Sequence, residues 1–491
     1  MSKVSLTLAT VLALQTVTFA SDFDALARKL PAGTNVLLAI DVDKVMASEM
    51  AVKNNWGGRA DDGNRPVYLP QEADKVLVAA QVDPARGFAQ AWEVAIMGLK
   101  ESLPMRLIAK AEGGYTDTID GMKAAWVPSD AYFVEIEPLT MGLMHPANRQ
   151  AVSRWAESQK RRATSPVSDY LLGAVSAVKS GPQIVLALDV QNSVQPHRVH
   201  QTLSQSEVVK KQKLNVDEVT SVMTSMRGLK LRITITDKAR GSLQIDFGKP
   251  VTFNERAAKG LLLGALTNFQ AELPGVEDWD VKVSGNTILC SGDTEPDALR
   301  RILSMLEIPT TKFSSLKEQD TNEATGDVMA QNSLAYFKSI TKLTNDLEKN
   351  SKSSRGDNYW MDRYAQKIDR LPILHVDPDL LNFGQKTVET FRVMSEARKS
   401  ANMSAGVRQA NIFSSGSGGG YGGYGGYNNG YRNSGYYNGR ANARSSLSAM
   451  NTAKLEEAAG ASSTKIEGFR RINNATSEMR RLMTERYNIE F

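Results

Sequence analysis

The sequence predicts an α+β protein: two tandem, duplicated α+β modules, then a helical region interrupted by a disordered Gly/Tyr-rich tract. Three observations carry that expectation. The run Val36-Leu37-Leu38-Ala39-Ile40-Asp41-Val42 returns 148 residues later as Ile184-Val185-Leu186-Ala187-Leu188-Asp189-Val190, each a buried-strand pattern with one acid in register. Pro146 and Pro296, 150 residues apart, each open a helix-like run, because proline lacks only an N–H that the first helical turn leaves unpaired anyway. Finally, residues 416–439 contain 11 Gly and 6 Tyr and no aliphatic side chain, so they have nothing from which to build a core.

Residues 1–20 have the layout of an export signal. Lys3 supplies the positive start, Val4 to Phe19 is mostly apolar, and Thr18-Phe19-Ala20 offers small residues at the cleavage-recognition positions. No later window reaches the roughly 18–20 apolar residues that a membrane helix requires, so the expected mature chain is exported, periplasmic or envelope-located, without a transmembrane span. Its single cysteine, Cys290, allows no intramolecular disulfide and sits in the apolar run Thr287-Ile288-Leu289-Cys290, where a packed thiol is expected. With 59 basic and 54 acidic residues interleaved, the excess charge is small and nucleic acid is not an expected partner.

Module 1 is placed at 21–165 and module 2 at 166–308. In the first, Phe23, Leu26 and Leu30 recur at helical spacing before the Val36 strand, and Ala73–Val82 and Trp92–Leu99 read as further buried strands. Short strands follow at Thr116–Asp120, Lys123–Val127 and Ala131–Glu137, separated by Gly121 and by Pro128-Ser129-Asp130. In the second, Leu229, Leu231, Ile233 and Ile235 alternate with Lys230, Arg232, Thr234 and Thr236, and Ser242–Phe247 completes a hairpin. A helix over 254–271 and strands at Val281–Val283 and Thr287–Cys290 come next. That alternation predicts a sheet covered by helices on one side only.

The polar stretch 309–324 is a linker and 325–411 a helical region, in which Met361, Tyr364, Ile368 and Leu371 share a face. The Gly/Tyr tract is placed at 412–440 and a C-terminal helix at 441–491. In that helix Phe469, Ile472, Thr476, Met479 and Met483 repeat at 3, 4, 3, 4, a stripe for a short coiled coil or for docking on the body of the same molecule. Tyr487, Ile489 and Phe491 alternate with polar residues, which predicts a terminal strand.

Three of these features together resemble a family: the Leu30–Val42 opening, the stretch Tyr364–Leu374, and a Gly/Tyr segment before an Arg-rich helix ending Ile489-Glu490-Phe491. The chain resembles the uncharacterised exported proteins of planctomycete-type bacteria. The resemblance implies export and an envelope setting, and brings no activity or site residues with it.

No catalytic, cofactor or metal site is expected. His197 and His200 stand at a spacing that can ligate zinc, but no third ligand or accompanying acid completes a set. Asp41 and Asp189 end equivalent strands, where a carboxylate more often caps the following helix or makes a structural hydrogen bond. Gly418-x-Gly420-x-x-Gly423 lies within the glycine tract, without the strand and helix that a dinucleotide loop needs. What remains is a non-enzymatic envelope protein with a structural or interaction role, associating with protein partners or with itself. The residues assigned to association are Tyr421, Tyr424, Tyr427, Tyr431, Tyr436, Tyr437, Phe469, Ile472, Met479 and Met483. The competing class is an exported enzyme or small-ligand binder with its site between the two modules. Export has a direct test: material from the native host should begin at Ser21 on N-terminal sequencing, and a start at Met1 or Ser2 refutes cleavage.

Overall fold

A computed structural model describes residues 22–56, 72–84, 89–161, 165–268, 272–303, 305–306, 326–351, 358–371, 373–416 and 439–491. The signal-like residues 1–20, the linker 309–324 and all six tract tyrosines lie outside the described residues.

The first copy runs α1 (Phe23–Arg28), β1 (Val36–Asp41), α2 (Val42–Met46), α3 (Glu49–Lys53), β2 (Ala73–Asp83), β3 (Ala89–Leu99), α4 (Met105–Glu112), β4 (Tyr115–Ile119), β5 (Met122–Val127), β6 (Ala131–Glu137), β7 (Thr140–His145) and α5 (Arg149–Arg161). The second runs α6 (Asp169–Ala177), β8 (Ile184–Asp189), α7 (Pro196–Gln205), α8 (Glu207–Lys211), α9 (Val216–Thr224), β9 (Met226–Ile235), β10 (Ala239–Phe247), α10 (Glu255–Asn268), β11 (Asp280–Ser284), β12 (Thr287–Thr294) and α11 (Pro296–Leu303). Four helices follow: α12 (Gly326–Ser351), α13 (Asn358–Asp369), α14 (Pro378–Gly416) and α15 (Gly439–Tyr487). The protein is α+β, as the sequence predicts.

All twelve strands form one antiparallel sheet, ordered β11-β12-β10-β9-β8-β1-β2-β3-β7-β6-β5-β4. Outward from the centre, β1-β2-β3-β7-β6 repeats β8-β9-β10-β12-β11, and β4–β5 is an extra hairpin of the first copy. The copies meet at β1 and β8, with Leu38 opposite Leu186, Val36 opposite Leu188 and Ile40 opposite Ile184. Leu38 thus faces its own counterpart in the 148-residue repeat, and the pairs on either side of it exchange under the same relation, which defines a pseudo-two-fold axis through the centre of the sheet and perpendicular to it.

Cross-strand registers carry the equivalence across the sheet. Leu38 leads through Val78, Ala95 and Leu143 to Phe133. Leu186 leads through Leu231, Leu243 and Cys290 to Val281. Both rows lie in one apolar core, under α2, α4, α7, α8, α9 and α10. On the opposite face α1 buries Phe23, Leu26 and Ala27, with Leu30 just after it, and α6 buries Leu171, Ala174 and Val175, with Val178 just after it. These four pairs keep the same 148-residue offset.

The central strands correct the expectation of a sheet covered on one side. Every residue of β1 is buried, because alternate side chains enter different cores: Leu38 and Ile40 on one face, Leu37 and Ala39 on the other. One-sided cover holds for the outer strands of the second copy and for β4 at the far edge of the first. In the second copy the rows matching Leu37-Ala79-Val94-Met144 and Ala39-Leu77-Ile96-Gly142 read Val185-Arg232-Ser242-Ser291 and Ala187-Lys230-Gln244-Leu289. Beyond β8 the apolar face has become polar.

The helices that close the two copies explain the change, and their equivalence is the second correction. α5 packs on the α1 face, where Val152 and Trp155 are buried and the Trp155 indole donates to the Lys29 carbonyl at 2.7 Å. α11 packs on the other face through Leu299, Ile302 and Leu303. A Cβ at Gly142 would stand 2.3 Å from Trp155 Cη2, so glycine is what lets α5 approach the sheet. The matching residue of the second copy is Leu289, which fills that space and is itself exposed.

β7 is the strand that sequence periodicity missed. Thr140-Met141-Gly142-Leu143-Met144 has no polar alternation because β7 is covered on both faces. The geometry sets a paired expectation. Gly142→Ala should lower the free energy of unfolding by about 1–3 kcal/mol through overpacking against Trp155. Leu289→Thr should change it by no more than about 0.5 kcal/mol. Chemical denaturation of both variants checks the pair, and equal losses would mean that the two faces are not differentiated as described.

Candidate interaction site

The C-terminal helices build a third core. Phe337, Ile340 and Leu347 of α12 and Trp360, Met361, Tyr364 and Ile368 of α13 pack with Leu380, Phe383, Val388, Phe391 and Met394 of α14. α15 closes this core with Phe469, Ile472 and Met483, and Met479 lies against it. The predicted stripe is therefore real, and of its two readings the structure takes docking on the body of the same molecule. Phe469 meets Phe391 edge-on with ring centroids 6.4 Å apart, and Met394 fills the space beside Gly468.

The chain end departs from its predicted form. Residues 487–491 form no strand; α15 runs to Tyr487, and the chain then turns back so that Phe491 stacks on Tyr487 and meets Phe337 edge-on. A buried carboxylate fixes this end. Asp377, just before α14, accepts from Arg486 at 2.6 Å and from the Tyr487 hydroxyl at 2.7 Å, and its own N–H donates to Ser333 of α12. Burial works to raise this carboxyl, yet the Tyr487 and Arg486 donors outweigh it and hold it below the usual carboxylate range. Arg486 also reaches Asp379 at 2.7 Å. One arginine and one tyrosine thus tie the last turn of α15 to the start of α14.

A second polar knot joins the third core to the sheet. Arg301 of α11 is only 1% exposed, and its Nε lies 3.8 Å from Asp346 of α12, which also accepts from the Tyr364 hydroxyl. The Arg301 guanidinium lies 5.5 Å from the Trp360 ring centre, and both Arg301 and the Trp360 indole donate to the Glu272 carbonyl. Arg301 Nε and Nη2 make no hydrogen bond among the described residues, so Asp346 and the Trp360 ring carry its compensation. On the first copy's side, Arg363 of α13 donates to Gln90 at 3.1 Å. The helical region is therefore pinned to both copies.

The sequence placed Tyr364 on an apolar helix face but did not single out Trp360, Arg301 or Asp346. The available signal was position: Arg301 falls at core spacing between Ala298 and Ile302, where an arginine demands a partner.

The remaining candidates are dispersed. Asp41 caps α2 by accepting from the Lys44 N–H at 3.1 Å, whereas Asp189 accepts from Ser168 at 2.6 Å and from the Gln191 N–H at 3.0 Å. The antiparallel β1–β8 ladder sets these two acids at opposite ends, roughly 20 Å apart, so they cannot share a cleft. The seam between the copies, where the rival site was expected, is filled by Leu37, Ala39, Val185 and Ala187 on one face and by Leu38, Ile40 and Leu186 on the other. His200 Nε2 stands 3.2 Å from Asp217, and both side chains are largely exposed. Cys290 is a buried thiol whose pKa burial pushes up to about 11, well away from nucleophilic use at neutral pH.

On the polar face of the second copy, Asp246 accepts from Tyr170 and Gln244 at 2.8 Å each and from Thr287 at 3.1 Å. Lys230 stands 3.7 Å from it and lies over the Tyr170 ring at 3.9 Å. Burial raises the Asp246 carboxyl and these donors lower it, with a net fall. Each of these half-buried polar groups has a partner within the cluster, as partial burial favours.

Among the described residues no helix is long and apolar enough to cross a membrane. No family model and no curated protein matches the chain. Among solved structures, crystal form I of TP0453 is 12% identical with a TM-score of 0.35, over 59% of this chain and 99% of that one. Crystal form III of TP0453 is 11% identical with a TM-score of 0.34, over 57% and 98% respectively.

The Arg301 knot generates a stability expectation. Asp346→Asn removes the countercharge and should destabilise by about 3–5 kcal/mol, whereas Arg301→Met combined with Asp346→Leu should lose clearly less. Denaturant unfolding of the two variants decides it. A double variant no better than the single one would show that packing, not charge compensation, holds this junction.

Proposed function

We propose that this chain is an exported, non-enzymatic envelope protein that works by association, with its C-terminal region as the associating part. One observation carries the reading: α14 and α15 join the third core through Phe391, Met394, Phe469 and Met483 and lead from it to the two ends of the Gly/Tyr tract. α14 continues from Phe391 to Gly416, and α15 begins at Gly439, 30 residues before Phe469. Asp377 and Arg486 tie the two helices together, and Arg301 with Asp346 joins the helical region to the sheet, so a tract that follows these helices has a defined origin on a folded body. Tyrosines without a core of their own suit many weak contacts through ring faces and hydroxyls. The export signal and the resemblance to exported planctomycete-type proteins support the envelope setting. Partners on this reading are proteins of the envelope or further copies of this chain.

Replacing Tyr421, Tyr424, Tyr427, Tyr431, Tyr436 and Tyr437 with serine tests the role of the tract. The expected result is slower sedimentation from lost association, together with reduced retention in the envelope fraction of the native host. If both are unchanged, the tract is a spacer and the reading fails.

A further inference from the structure

We infer that the outer edge of β11 is a self-association surface, on which β11 of a second copy pairs antiparallel and continues the sheet across a two-fold axis at Val281. This surface is separate from the C-terminal region and does not rest on the role proposed for it.

The duplication reveals the open edge. β11 ends the sheet and is the counterpart of β6 in the first copy. There the β4–β5 hairpin covers the edge, and β5 sets Ala125 opposite Phe133 and Val127 opposite Ala131. Phe133 is 1% exposed as a result, and Ala125 and Val127 are buried. Among the described residues of the second copy no strand lies between α10 and β11 in the chain, and none opposes Val281, the counterpart of Phe133. Val281 and Val283 are only half buried, in the same core as Leu261, Leu262, Leu263 and Leu266 of α10, none of which is fully buried either. An apolar rim thus lies where the first copy has a closed edge.

Backbone geometry leaves this edge competent to pair. The two-residue turn Gly285-Asn286 makes Ser284 and Thr287 a hydrogen-bonded pair, so Lys282 and Asp280 also bond inward, to Leu289 and Ser291. Val281 and Val283 therefore direct their N–H and C=O groups outward, and among the described residues nothing receives them.

The side chains of the edge select the partner. Asp280 and Lys282 are both exposed, and neither makes an ion pair among the described residues. Placed antiparallel about Val281, two β11 strands set Asp280 against the partner's Lys282 and Lys282 against the partner's Asp280. Centring on Lys282 opposes like charges and turns inward-bonded backbone to the seam, and centring on Val283 leaves both charges without a counterpart. Lysine on an edge strand keeps other strands away. Here a carboxylate two residues before it answers it in one register, so the lysine that blocks indiscriminate pairing admits a second copy. The contact is self-complementary and closes with two-fold symmetry. A five-residue edge buries little area, so the dimer forms only as concentration rises.

Charge exchange supplies the test, on the full mature chain by sedimentation velocity across a wide range of protein concentration. Wild type should pass from monomer to dimer. Asp280→Lys and Lys282→Asp each turn two attractive pairs into repulsive ones and should weaken dimerisation roughly tenfold or more. Mixing the two variants in equal amounts should restore the dimer, because each chain then meets opposite charge at both positions. The chain carrying both changes should dimerise like wild type. Both positions are exposed, so the fold should be kept, and unchanged circular dichroism checks it. A wild-type chain that is monomeric throughout overturns the inference, as do single variants that dimerise like wild type. Loss in the single variants without recovery on mixing also overturns it, because the charges are then not opposed across the seam. A dimer insensitive to these charges but lost when the six tract tyrosines become serine sinks pairing through β11 and leaves association through the tract standing. A dimer kept by the serine chain and lost in the charge variants supports β11 pairing, whatever becomes of the tract.

Discussion

The antiparallel ladder between β1 and β8 is the interaction on which the rest of the structure depends. It sets Leu38 against Leu186 and so brings equivalent residues of two tandem copies face to face. One duplicated strand thereby turns a seven-strand and a five-strand unit into a single continuous sheet with both faces of its centre buried. Apolar side chains on both faces of neighbouring strands exclude water from a ladder whose backbone hydrogen bonds are satisfied within it, and each contribution favours the same register. The cores on the two faces are shared between copies, so neither copy has a closed interior without the other. Among the described residues this seam is filled by apolar side chains from both copies.

Symmetry is broken where the copies end, and the consequences organise the rest of the molecule. In the first copy Gly142 admits Trp155, and α5 seals the face that α1 began to cover. In the second copy Leu289 occupies the same position, Lys230, Arg232 and Gln244 replace apolar residues, and α11 packs on the other face. That change places Arg301 against α12 and α13, where Asp346, Tyr364 and Trp360 receive it. A buried guanidinium is a poor source of stability but a good source of specificity here, because only one docking of the helical region compensates it. The same logic recurs at Asp377, which selects the seating of the chain end through Arg486 and Tyr487. Titratable groups in the interior are thus used to fix position.

Much of the fold was legible in the sequence, and the misses have a common cause. The β9 alternation Leu229, Leu231, Ile233 and Ile235 was readable because one face of that strand is wet. β7 was not, because Met141, Gly142, Leu143 and Met144 are buried whichever way they point, and two-sided burial erases the period-two signal. The helices opened by Pro146 and Pro296 were rightly placed and wrongly equated, since a helix's sequence gives its apolar face but not the side of the sheet that it covers. The candidate site was less legible. The Phe469, Ile472, Met479 and Met483 stripe announces a helix that must be covered, and nothing in its spacing distinguishes its own chain from another.

What the sequence determined by itself is local and periodic: two copies of a buried strand, the helix that precedes the first, the Cys290 strand, and the apolar stripe of the last helix. These follow from repeats of 2 and 3.6 residues and from a 148-residue self-match, which need no knowledge of neighbours. Tertiary structure alone decided the pairing of the copies across β1 and β8, the side of the sheet on which α11 lies, the compensation of Arg301 by Asp346, and the covering of the α15 stripe by α14. Each of these joins residues distant in the chain whose energies depend on burial and on the partner's charge. Neither exists until the chain has folded.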